Sequence, residues 1–154
     1  MREHPIFKTL SDEEFLKAVE FFNEKRYKKD EFILKEGEYS SKAFILLEGE
    51  VEIYKTSIYK DDYVVTNVKG GGDEFFGEIN LIDRGLVTST IKTLSDVKIL
   101  EIEHNSFITL MDSYPKIGAK MLWIISLNLS KHLRKADNEI LTLFNALVEV
   151  VEND

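Results

Sequence analysis

Residues 75–92 read FFGEINLIDRGLVTSTIK. A tight glycine turn at Gly77 carries one acidic residue, Glu78. A short helical stretch follows, and then a run of small hydroxyl residues. Loops of this composition wrap small anionic ligands against backbone amides. Phosphate-binding loops usually close with a cation, and this one runs through Val87, Thr88, Ser89 and Thr90.

The segments on either side alternate with a period near two. EFILKEGE, AFILLEGEVEIYK, YVVTNVKGGG, VTSTIKTL and VKILEIE are rich in β-branched and aromatic residues and are separated by glycines. Short strands repeating every ~8–12 residues with turn signals predict an all-β sandwich, roll or barrel. This β region is expected over 27–103.

Helices bracket it. Ser11 and Glu14 have capping-box spacing, and Phe15, Ala18, Val19 and Phe22 follow on one face, so 1–26 reads as a helical part that the polar run Asn23–Arg26 ends. Downstream, 105–151 reads as helices. SFITLMDS forms a short one, Tyr114-Pro115 breaks it, and Pro115 suits the first turn of the next. From there the chain permits one long helix, or two with a bend near Lys135–Asn138. Leu122, Ser126, Leu129, Leu133, Ala136, Ile140, Leu143, Leu147 and Val150 recur in alternating steps of four and three. That is an a/d seam over about four heptads and predicts a coiled-coil pairing, hence a homodimer. Leu141, Phe144, Val148 and Val151 widen the apolar stripe and need burial on the β body or on a partner. Trp123 reads as core.

Composition narrows the function classes. The 154 residues suit one domain, 1–154, with a sizeable core. Absence of cysteine removes disulfides, thiolate metal sites and cysteine nucleophiles. With 20 Lys plus Arg against 28 Asp plus Glu, the net charge of −8 argues against nucleic acid as a partner. No signal peptide and no apolar run near ~20 residues is visible, so the expectation is a cytoplasmic protein with no membrane partner. His4, His104 and His132 lie one in each third of the chain, without metal-ligand spacing, and no Ser-His-Asp or phosphate-loop pattern occurs. The expectation is therefore no enzyme, no catalytic residue and no metal.

Taken together, PIFKTLSDEEF, KEGEYSSKAFILLEGEVEIY, FFGEINLID and the closing helix after SYP make the chain resemble the cyclic-nucleotide-binding domains. These are the sensor modules of catabolite-activator-type regulators, cyclic-nucleotide-gated channels and kinase regulatory subunits. The resemblance implies a mainly β, α+β fold: an eight-stranded antiparallel β-roll (a jelly-roll-like double-stranded β-helix) with an N-terminal helix and a long C-terminal helix that pairs two protomers. It implies cyclic AMP or cyclic GMP as the family ligand. It assigns the ligand cassette to Phe76, Gly77, Glu78, Ile79, Val87, Thr88 and Ser89, with Glu78 accepting the ribose 2′-hydroxyl. In the family, an arginine about nine residues after that glutamate pairs with the phosphate.

Laid without gaps, Val87 stands where the family has its arginine, and a one-residue slip puts Thr88 there. Neither is a cation. Losing one member of a buried charge pair costs about 2–5 kcal/mol, or roughly thirty- to several-thousand-fold in affinity. Arg84, in the cassette turn, is the candidate substitute cation, and Lys92 is expected to face solvent. On the long helix, Asn128, His132 and Leu133 are candidates for the base side of the pocket, and Leu122, Leu129, Leu133, Ala136, Ile140, Leu143 and Leu147 for the dimer seam. Glu78 serves either as a ligand acceptor or as a cap on backbone amides. Two readings follow: a sensing module whose cyclic nucleotide binding is weak or lost, or a structural dimerisation domain with a vestigial pocket. A helix-turn-helix of the kind found in such regulators is not seen before Asp154, and an effector protein is left as the reader of the dimer.

Overall fold

The computed structural model describes residues 1–59 and 62–154. Helices α1 (Pro5–Lys8) and α2 (Asp12–Val19) open the chain, and strands β1 (Asn23–Tyr27) to β8 (Val97–Glu103) follow. Helix α3 (Glu78–Asp83) lies between β6 (Phe75–Phe76) and β7 (Thr90–Thr93); α4 (His104–Ser113) and α5 (Pro115–Glu152) close the chain. The capping box forms as its spacing predicts: Ser11 N–H donates to Glu14 at 2.8 Å, and Glu14 N–H to the Ser11 hydroxyl at 3.1 Å.

The remaining strands are β2 (Phe32–Leu34), β3 (Lys42–Glu48), β4 (Glu50–Thr56) and β5 (Asp62–Lys69). Two four-stranded antiparallel sheets make the roll, in the orders β1-β8-β3-β6 and β2-β7-β4-β5. β3 explains why AFILL reads as a continuous apolar run. Successive side chains point to opposite faces, and both faces of this strand are covered. Phe44 and Leu46 pack between the sheets with Leu34, Val51, Phe76, Val87, Ile91 and Ile99. Ala43 and Ile45 pack on the other side, against Phe7 of α1, Phe107 and Leu110 of α4, and Met121 and Ile125 of α5. Between the sheets, the buried Glu101 of β8 is paired with Lys25 at 2.8 Å and Lys42 at 3.3 Å.

Two expectations are corrected and a third is narrowed. Asn23–Arg26 does not end a helix; α2 stops at Val19 and β1 begins at Asn23, paired to β8 from Asn23↔Glu101 to Tyr27↔Val97. No side chain of this edge strand is buried, so it can be polar, and its charges also guard the unpaired backbone edge. Trp123 is 65% exposed, outside the core. Leu141, Phe144, Val148 and Val151 do not lie on the β body; every residue from Ser130 to Asp154 is exposed in the single chain. The open alternative for the last third resolves to one helix of 38 residues, whose first turns bury Ile117, Met121 and Ile125.

Candidate functional site

The cassette begins at Gly77, whose φ of 77° is left-handed. A β-carbon there would also collide with the Lys42 carbonyl oxygen of β3, so glycine is required on two counts. The turn delivers Glu78 as the first residue of α3. Further on, internal bonds fix the loop: Asn80 Nδ2 donates to the Gly85 carbonyl at 2.9 Å, and Gly85 N–H to Asp83 at 2.7 Å. The loop then docks on residues 37–40. Ser40 N–H donates to Gly85, Val87 N–H to Glu38, and Gly37 N–H to Val87.

An open cavity of about 820 Å³ lies between this cassette, the middle of β4, the end of β5, and α5. It is lined by all seven cassette residues named from the sequence: Phe76, Gly77, Glu78, Ile79, Val87, Thr88 and Ser89. Val87 is 4% exposed and packs with Leu34, Phe76 and Ile91. Lys55 Nζ donates to the Thr88 carbonyl at 2.6 Å, and Lys55 itself does not line the cavity.

Arg84, the candidate substitute cation, does not line the cavity; it is the left-handed C-cap of α3 (φ 56°) and faces solvent. Lys92 does not line it either, and its ammonium lies over the Phe32 ring. Among the described residues the basic groups at the cavity are Lys69 at the end of β5, and His132 and Lys135 on α5. Lys69 and Lys135 escaped sequence reasoning. Lys135 follows His132 by three residues and so shares its helix face, a signal that was readable. Asn128 and Leu133 are not among the lining; Leu133 is 64% exposed in the apolar stripe. A groove of about 730 Å³ along Lys131–Leu143 is formed by α5 alone and has no opposing wall.

Glu78 is 5% exposed, and its Oε1 stands 2.8 Å from His132 Nδ1. Burial pushes its carboxyl above the usual value, while its own backbone N–H and the His132 imidazole oppose that rise. The other two histidines reach the same segment. His104 Nδ1–H donates to the Leu81 carbonyl at 2.6 Å, and His4 Nε2–H to the Glu74 carbonyl at 3.2 Å. His4 Nδ1 accepts from Ile6 N–H, which fixes a neutral tautomer, and burial holds its pKa below the ordinary value. No cluster of three or more metal-ligating side chains occurs among the described residues, and no described helix is long and apolar enough to cross a membrane.

Comparison with known proteins agrees with this architecture. Over 140 residues the chain is 23% identical to the cyclic AMP receptor protein of Thermus thermophilus, which covers 91% of this chain and 62% of that relative. The chain thus spans under two thirds of that relative's length. The crystal structure of the Thermus thermophilus catabolite activator protein superposes with a TM-score of 0.81 at 23% identity, covering 90% of this chain and 62% of that one. The N-terminal domain of a transcriptional regulator from Streptomyces coelicolor superposes at 0.74 with 24% identity, covering 90% and 93%. Residues 24–114 match the family described as the cyclic nucleotide-binding domain. A glycine-glutamate cassette set in a two-sheet roll and closed by a long helix thus has its family: the chain belongs to the cyclic nucleotide-binding domains.

Proposed function

We infer that the protein is a non-enzymatic ligand-sensing module whose affinity for cyclic AMP and cyclic GMP is weak or lost, and which signals through α5 as a homodimer. The observation that carries this reading is Val87. It occupies the cassette position where the family resemblance expects the phosphate's arginine, and it is packed into the apolar interior. A phosphate set against it trades water for hydrocarbon without a compensating donor. A ligand in the cavity would touch the cassette and α5 together, so differential contact with two positions of α5 is the physical basis of signalling.

Titration calorimetry with cyclic AMP and cyclic GMP tests this directly. Binding is expected to be tens of micromolar or weaker. Low-micromolar affinity for either nucleotide would overturn the reading. Val87→Arg is expected to tighten cyclic AMP binding by about tenfold or more.

A second reading, a structural dimerisation domain with a vestigial pocket, is favoured by the way the cassette satisfies itself. Glu78 already has His132, and the bonds within 80–85 hold the loop's shape without a ligand. Under that reading no small molecule shifts the melting temperature, while the dimer persists.

A further inference from the structure

The cavity walls divide by chemistry. The roll side carries an apolar strip, Leu34, Ile53, Phe76, Val87 and Ile91, beside the polar Thr66, Asn67, Thr88 and Ser89, and the strip belongs to the packing between the two sheets. The basic groups enter from the strand end and the helix. His132 is committed to Glu78. Lys69 makes no ion pair among the described residues, and Lys135 approaches only the exposed Glu139, at 3.9 Å. Asp73 and Glu74 also line the cavity; both are exposed, where water and salt screen them. The cavity therefore offers Val87 and no cation where a cyclic nucleotide would place its anion, and carries its two available lysines elsewhere.

Accepting that the cavity is a ligand site, we propose that it takes a lipophilic organic acid, with its apolar body on the roll wall and its carboxylate facing Lys69 and Lys135. Pockets of this size draw affinity from apolar walls and orientation from a few polar groups. Lysine heads stay partly hydrated while holding an anion, so the acid need not lose all its water. This polarity is the reverse of the one a cyclic phosphate requires.

The test is calorimetry on the full chain with octanoate, 1-octanol and cyclic AMP. Octanoate is expected to bind about fivefold or more tighter than 1-octanol. The double variant K69Q/K135Q, altering two exposed side chains, should abolish that preference and leave 1-octanol unchanged. Val87→Arg should weaken 1-octanol, which separates the cavity from the exposed apolar stripe of α5; if that variant does not fold, K69Q alone, whose lysine lies off the α5 groove, decides by lowering the octanoate preference. Octanoate no tighter than 1-octanol, or undiminished in K69Q/K135Q, overturns the proposal. Low-micromolar cyclic AMP binding overturns the preceding reading instead, whatever octanoate does.

Discussion

Glu78 keeps its carboxyl away from water with one imidazole as side-chain partner. Its pKa is raised by burial, so the folded state holds this proton more tightly than the unfolded chain does. The stability it contributes is full below the ordinary value of 4.5 and is lost as pH rises through the folded value. His4 has the opposite sign. Its depressed pKa gives stability present above 6.5 and lost as pH falls through the folded value. Glu78→Gln removes the buried charge while keeping the shape. It is expected to raise the melting temperature by about 2–4 °C at pH 7.5 and to flatten the decline from pH 4.5 upward. Thermal unfolding across pH 4–8 checks it; parallel curves for the two proteins would show that burial of this charge is not the cause. The residue identities here were legible because the cassette is contiguous in sequence. The pairing was not, since it depends on which face α5 turns to the roll.

Strand β3 and the cassette show how far local pattern reaches. The capping box of α2, the break at Tyr114-Pro115 and most β segments follow from spacing alone, because each is decided by neighbours within a few residues. β1 escaped, because Asn23–Tyr27 has no apolar alternation of its own and is a strand only through its ladder to β8. The Gly77 turn combines a left-handed φ with close approach to β3, and these terms can be separated by mutation. Gly37 has a φ of 82° with nothing near a built β-carbon. Gly37→Ala is expected to cost about 1 kcal/mol, the conformational term alone. Gly77→Ala is expected to cost about 2–3 kcal/mol and to move α3. Denaturant titration of the two variants side by side measures the difference; equal losses would remove the steric contact from the account.

As a whole, the molecule is a roll with a helix that outruns it. From Ser130 to Glu152 α5 extends ~34 Å with Leu133, Ile140, Leu143 and Leu147 each at least 64% exposed. An apolar stripe of that length calls for a partner, and a second copy with the same heptads fits it. Sedimentation should give about twice 17.8 kDa, and Ile140→Glu with Leu143→Glu should return the monomer with the roll's melting intact. The exposed apolar stripe was legible because heptads declare themselves in sequence. Trp123 was misread as core because apolar character cannot tell a face covered by the same chain from one left bare. The convergence of the imidazoles was equally invisible, because it is a property of the folded roll. His4, His104 and His132 are every histidine the chain has, and all three bond to the segment 74–81. The protein therefore carries its own spectroscopic label. Three Hε1 resonances, one from each imidazole, watch the cassette from the cap of α1, from α4 and from α5 without mutation or tagging.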